Sequence, residues 1–191
     1  MTNYVYLQLY TPEEANNIYN YLKDKEIEYH KPYKRYNKTV KVPRGQASYT
    51  FDSSIHYNYG VSGGSPINEI MDEKMKEITN KVNQTLNTNY NTILMNVYKN
   101  GKDSIGLHKD KETGWVENTG FATLSFGAER VFLLENNETL EKTKIKHSKG
   151  YIIDMPYPLN HQYKHAVPPC SIKECRISLT CLLYTSDAAD E

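Results

Sequence analysis

Apolar positions follow two regimes along this chain. Ala15, Ile18, Tyr19 and Leu22 recur at helical spacing behind Thr11-Pro12-Glu13-Glu14, a capping-box pattern with proline at the first helical position, and predict a helix. A second helix is predicted to begin near Ser65-Pro66, with Ile67, Ile70, Met71, Met75, Ile78 and Val82 as a stripe covering a sheet. From Thr92 onward the pattern changes to short β-like runs: 93–98, 121–126, 130–134, 144–147, 151–155, 163–167 and 176–180. Turn clusters such as Lys99-Asn100-Gly101 and Ser148-Lys149-Gly150 separate them. Many short strands predict a β-sandwich or jelly roll with both helices against one sheet, an α+β fold. The stretch from Gly60 to Gly64 lacks the Lys-Ser/Thr of a phosphate loop and is expected to be a flexible connector.

The length of 191 residues suits one domain, expected to be a monomer. With 23 basic and 23 acidic side chains, no global field draws it to nucleic acid, so such contact needs a local patch. One exists between Tyr29 and Phe51, where no acidic residue occurs and Lys31, Lys34, Arg35, Lys38, Lys41 and Arg44 recur about every third position. No apolar run approaches transmembrane length and no hydrophobic signal segment opens the chain, so a soluble intracellular protein is expected, nuclear or cytoplasmic, or from a viral or bacterial source. Cys170 and Cys175 lack zinc-site spacing and are read, with Cys181, as free thiols. Seventeen tyrosines with abundant Asn, Lys and Ile hint at an AT-rich genome.

The chemistry-bearing pattern is His108-Lys109-Asp110 just past a β-like run, answered by His165 and then Arg176. Two imidazoles and a carboxylate on adjacent strands would leave metal coordination positions open, as a non-haem iron(II) oxygenase requires. A downstream arginine can then fork onto the far carboxylate of an organic co-substrate. His161, Tyr163 and His165 alternate and would share one strand face, so either histidine could point at the metal. His30, His56 and His147 lack partners in the sequence and are expected to be ordinary exposed imidazoles.

Five segments in order make the reading specific: residues 93–101, 105–112 with His108 and Asp110, 123–130, His165-Ala166-Val167-Pro168, and 176–180. Together they resemble the AlkB family of iron(II)/2-oxoglutarate dioxygenases, closest to its vertebrate nuclear DNA-repair branch, over about Leu7 to Thr180. The resemblance implies a double-stranded β-helix with a β-hairpin and lid for nucleotide recognition at about 29–64 and a jelly-roll core at 92–180. It makes His108, Asp110 and His165 the iron ligands; His165, followed by Ala-Val-Pro, is preferred over His161. Asn96 and Tyr98 would bind 2-oxoglutarate, Arg176 would pair with its distal carboxylate, and Ser178 and Thr180 would complete that site. The implied reaction uses O2 to decarboxylate 2-oxoglutarate and hydroxylate an N-methyl group such as that of 1-methyladenine or 3-methylcytosine, releasing formaldehyde and a normal base. DNA is favoured over RNA as partner, and no membrane contact is implied.

The base must be flipped or single-stranded to reach a buried metal. Residues 42–49, with Arg44 and Gln46, resemble the base lid; Tyr57 and Tyr59 resemble its aromatic pair, and Glu112 an acidic pocket residue facing the cationic damaged base. Tyr36, in the basic segment, aligns with an aromatic wedge that fills the gap left by the flipped base. Plain strand packing and a solvated charged hairpin are the alternatives for these tyrosines. Lys111 resembles the bacterial form instead, which leaves base preference open. The final motif also departs, with Ser178 where the family has asparagine and Leu182 where it has a second arginine. Residues 181–191 look like the in-frame translation of a sequencing transposase adapter and are expected to be foreign to the natural protein. An oxygenase acting on RNA or another substrate, or a catalytically silent binding module, are the rival readings.

Overall fold

The computed structural model describes residues 3–27, 29, 33–35, 38–40, 42–55 and 67–186. In chain order these form β1 (Val5–Gln8), α1 (Pro12–Lys23), β2 (Tyr33–Arg35), β3 (Lys38–Val40), β4 (Gly45–Thr50), β5 (Ile67–Ile70), α2 (Glu73–Leu86), β6 (Thr92–Tyr98) and β7 (Ile105–His108). There follow β8 (Phe121–Gly127), β9 (Arg130–Asn136), β10 (Lys142–His147), β11 (Tyr151–Met155), α3 (Leu159–Gln162), β12 (Tyr163–Val167) and β13 (Arg176–Leu182). A seven-stranded sheet runs β1-β11-β8-β13-β6-β4-β5, and a four-stranded sheet runs β10-β9-β12-β7. β2 and β3 pair with each other as a separate hairpin.

Alternation along the central strands builds two cores. Ile177, Leu179 and Cys181 of β13, Ile93, Met95 and Val97 of β6, and Ala122, Leu124 and Phe126 of β8 pack under Ala15, Ile18 and Leu22 of α1 and Met75, Ile78 and Val82 of α2. The opposite faces of the same strands point toward the small sheet, where Phe121, Phe132, Leu134, Ile145, Ile153 and Val167 form the second core. The period of two thus divides each central strand into an oily face for the helices and a mixed face for the site. The jelly roll with helices on one sheet stands as expected.

The entrance to α1 is the predicted capping box: the Glu14 N–H donates to Thr11 Oγ1 at 3.2 Å and the Thr11 N–H to Glu14 Oε2 at 2.8 Å. The second helix starts later than its apolar stripe suggests. Ile67–Ile70 is instead a strand, parallel to β4, and Ile70 is 58% exposed. The Met71 N–H still donates to the Thr50 carbonyl at 2.8 Å, and only Asp72, whose carboxylate accepts from the Met75 N–H at 2.9 Å, turns the chain into a helix. Helical spacing continued by chance across a strand-to-helix junction. The segment from Gly60 to Gly64 lies outside the described residues.

Two further differences bear on function. Gly45–Thr50, read as part of a lid, is an inner strand of the large sheet, buried at every position and paired antiparallel with β6. β1, β4 and β5 therefore complete a core that the sequence placed at 92–180. His161 is not on a strand with His165; it lies in the short helix α3, and the strand begins only at Tyr163. Beyond Thr180, Cys181 and Leu182 continue β13, and Tyr184 is buried and bridges to Trp115.

Candidate active site

β12 pairs antiparallel with β7, and the register sets His165 directly opposite His108. Their rings lie 4.3 Å apart, and Asp110, two residues past His108, brings Oδ1 to 3.2 Å from His108 Nε2 and 3.7 Å from His165 Nε2. One ligand atom from each lies within 4.8 Å of the others, the only such metal-capable cluster among the described residues. His108 Nδ1 sits 2.9 Å from the Gly106 carbonyl, so that nitrogen carries a proton and Nε2, beside Asp110, is the atom that could take a metal in exchange for a proton. His165 stacks on Phe132 at 5.4 Å and meets Phe121 at 5.1 Å, so the ring is held between aromatic faces.

Burial pushes the His165 pKa down to about 4, which keeps it neutral and able to ligate. Burial would raise Asp110, but His165, His108 and Arg44 outweigh it and hold the carboxyl below its ordinary range. Burial likewise opposes the charged form of His108, yet Asp110 and the Gly106 carbonyl prevail and raise its pKa. An ionised carboxylate with two imidazoles is an arrangement made for a divalent cation.

From this end a narrow cleft runs between the sheets to Arg176. Asn96, Tyr98, Arg176, Ser178 and Thr180 all line it, the first two from β6 and the others from every second position of β13. Leu182 continues that row in the cleft. Arg176 is 1% exposed; its Nε donates to Ser125 Oγ at 2.9 Å and its Nη2 lies 3.1 Å from His147 Nδ1. Its Nη1 is buried with no hydrogen-bond partner among the described residues. Burial lowers its pKa to about 10, so it remains charged at neutral pH. The backbone fixes this arginine from behind: Gly127, at φ +78°, lets the β8–β9 turn approach so closely that a Cβ there would lie 2.4 Å from the Cys175 carbonyl, which accepts from the Ala128 N–H.

Arg44 and Gln46 also line the cleft, but both are buried, Gln46 within β4 and Arg44 just before it. Arg44 Nε and Gln46 Nε2 both donate to Asn96 Oδ1, at 2.9 and 2.8 Å, leaving the Asn96 amide as a donor. Arg44 accordingly does not belong to an exposed basic patch. Glu112 lies beside the cleft, not in its lining; it accepts from Asn160 Nδ2 at 2.7 Å and pairs with His161 Nε2 at 3.1 Å. Lys111 does line the cleft. Tyr36, Tyr57 and Tyr59, together with His30 and His56, lie outside the described residues.

Sequence reasoning missed three supporting residues. His147 is fully buried, contrary to the exposed imidazole expected, because it faces Arg176 across the two sheets. Asn160 brackets the ligand loop, accepting from the Asp110 N–H and donating to its carbonyl, both at 3.1 Å. Arg130 donates to the carbonyls of Asn100, Asp103 and Pro168 at 3.2, 3.0 and 2.8 Å, tying the loops after β6 and β12 together. Each works through contacts distant in sequence, and no local pattern announces them.

A jelly roll with a two-histidine, one-carboxylate cluster at one end of a cleft and a buried arginine at the other defines an oxygenase of the iron and 2-oxo-acid type. The pattern of the 2OG-Fe(II) oxygenase superfamily matches residues 2–181, and the chain belongs to that family. Its two imidazoles and one carboxylate fit the iron that the family's name carries. It is 29% identical over 175 residues to the DNA oxidative demethylase ALKBH2 of Bos taurus and 29% identical over 175 residues to that of Homo sapiens, covering 85% of this chain each time. The chain spans 62% and 66% of the lengths of these two relatives. The solved structure of OsALKBH1 shares the fold, with a TM-score of 0.64 at 14% identity over 94% of this chain and 97% of that one. Among the described residues no helix is long and apolar enough to cross a membrane.

Proposed function

We propose that this protein removes N-linked methyl groups from nucleobases in DNA by iron(II)- and 2-oxoglutarate-dependent oxidation. The observation that carries the reading is the two-ended cleft: a cation-binding cluster at one end and, at the other, a buried arginine with an unpartnered Nη1. That donor set fits iron, and the N–H groups of Nη1 fit a carboxylate. His108, Asp110 and His165 would hold the metal; Arg176 would take the distal carboxylate of 2-oxoglutarate, with Asn96, Tyr98, Ser178 and Thr180 beside it. When bound, iron with 2-oxoglutarate and O2 supplies the oxidation: the 2-oxo acid leaves as succinate and CO2, and one oxygen atom enters a C–H bond of the methyl group.

The chain's own part is placement. Arg176 draws the co-substrate to one orientation, because its charge is the anion-binding element at that end. Arg44 and Gln46 fix Asn96 so that its amide N–H, not its oxygen, is presented. Phe121, Phe132, Leu182 and Trp115 line the space between and exclude water. His108 keeps its proton on Nδ1, against Gly106.

The DNA substrate rests on likeness to the ALKBH2 proteins and on the β2–β3 hairpin, which carries Lys34, Arg35 and Lys38. Those side chains would neutralise phosphates, and Tyr36, between the two strands in sequence, would fill the gap of a flipped base. The test is formaldehyde release from oligonucleotides bearing 1-methyladenine or 3-methylcytosine, with and without iron and 2-oxoglutarate. Release from DNA exceeding release from RNA of the same sequence supports the reading; turnover confined to RNA, or none on either, defeats it.

A further inference from the structure

We propose that His147 is a positioning residue for the co-substrate: a neutral acceptor that aims the Arg176 guanidinium while leaving its charge uncancelled. The inference rests on the reading that Arg176 receives the distal carboxylate of 2-oxoglutarate. Arg176 lies on β13 of the large sheet and His147 on β10, the edge strand of the small one, so their contact bridges the sandwich. His147 Nε2 is 3.1 Å from the Tyr151 carbonyl, which accepts only from an N–H. Nδ1 is then unprotonated and accepts from Arg176 Nη2 at 3.1 Å. Tyr6 and Phe132 meet the imidazole edge-on, at centroid distances of 6.3 and 6.1 Å, and hold its plane.

The choice of acceptor matters because two of the three guanidinium nitrogens are already committed. Ser125 takes Nε and His147 takes Nη2, Tyr98 is a further neighbour of the guanidinium, and all three are uncharged, while no carboxylate pairs with Arg176 among the described residues. Burying an unpaired cation is costly, by several kcal/mol in real proteins, and an Asp or Glu at position 147 would relieve it. Such a residue would also cancel the charge that an incoming carboxylate needs. A histidine this deeply buried beside an arginine is kept neutral, since burial first and Arg176 second lower its pKa well below the usual value. The geometry therefore directs the unpartnered Nη1, with its two N–H groups, and a whole positive charge at the same ligand.

The experiment compares binding of 2-oxoglutarate with binding of 2-oxobutyrate, which lacks the distal carboxylate, to full-length protein loaded with Mn(II) so that nothing turns over. His147→Asp and His147→Gln are measured beside the parent, and thermal melting checks that each is folded. His147→Asp should weaken 2-oxoglutarate by about tenfold or more, the loss of one charge-assisted contact, and leave 2-oxobutyrate unchanged. His147→Gln, whose amide oxygen can accept without charge, should stay within about threefold, about 0.65 kcal/mol. Equal losses for both acids, or full 2-oxoglutarate affinity in folded His147→Asp, would show that His147 merely packs. If the parent itself binds the two acids equally, Arg176 does not read a distal carboxylate, and the proposed function falls together with this inference.

Discussion

The two ends of the cleft solve opposite electrostatic problems. At the His108–Asp110–His165 end a carboxylate lies within 3.2 and 3.7 Å of two imidazoles, so each group is partly compensated by its neighbours before any cation arrives. At the Arg176 end the charge has only neutral acceptors and one nitrogen with none. The first end tolerates loss of its ligand; the second is poised for one. A co-substrate with a metal-chelating head and an anionic tail would enter such a cleft in only one sense, and on the proposed reading that is how the geometry would select a 2-oxo diacid.

The largest test breaks the first end. His165→Ala removes a proposed metal ligand and its stacking on Phe132, and should cost more than the roughly 10- to 100-fold in iron affinity that follows loss of a residue merely orienting a ligand. Iron titration, followed by formaldehyde release, measures it. Near-normal turnover would move the metal elsewhere. At the second end, Arg176→Met keeps the volume and removes the charge. Half-saturation by 2-oxoglutarate should rise roughly 10- to 100-fold, while iron affinity stays as it was. A change in both would mean that the two ends are not separate.

Leu182 allows the second end to be strengthened. It lines the cleft on the same face of β13 as Arg176, Ser178 and Thr180. Leu182→Arg should add a second cation for the co-substrate and improve 2-oxoglutarate affinity by up to about tenfold. Position 181 should be left alone. Cys181 is fully buried in the core beneath the helices, where a phenylalanine would be overpacked by about 1 to 3 kcal/mol. Unchanged titration curves for Leu182→Arg would show that the leucine costs the site nothing.

How far the sequence could be read follows the same division. β11 and β12 were legible to the residue because their apolar runs are bounded by turns, and α1 because its cap, proline and stripe agree. The cluster of His108, Asp110 and His165 was legible because order and a family-like context constrained it. What failed involved partners far apart in sequence. Gly45–Thr50 has a polar, lid-like appearance, yet it is an inner strand whose Gln46 bonds Asn96 and whose Ser48 bonds Asn68. His147 looked solitary because its partner is on the opposite sheet. Ile67 and Ile70 fitted a helical stripe because two apolar residues three apart continue the spacing of α2 by chance, and only the cap at Asp72 marks where the helix begins.

The smallest expected effect is also the one that settles which histidine belongs to the first end. On a continuous strand His161 would face the metal beside His165, but α3 intervenes and turns it toward Glu112, at 3.1 Å, with its side chain 51% exposed. It meets the metal loop only indirectly: its backbone carbonyl accepts from Lys109 Nζ, and Glu112 is held in turn by Asn160. His161→Ala keeps that carbonyl and loses an exposed contact with Glu112, worth about 0.2 to 1 kcal/mol at most. Iron affinity should therefore change by less than about fivefold. Asn160→Ala should cost more, roughly tenfold or above, since it frees both the N–H and the carbonyl of Asp110. Measured by iron titration in one background, the two variants should fall in that order. If His161→Ala instead matched His165→Ala, the ligand would be His161, and the compensated end of the cleft would have to be redrawn around it.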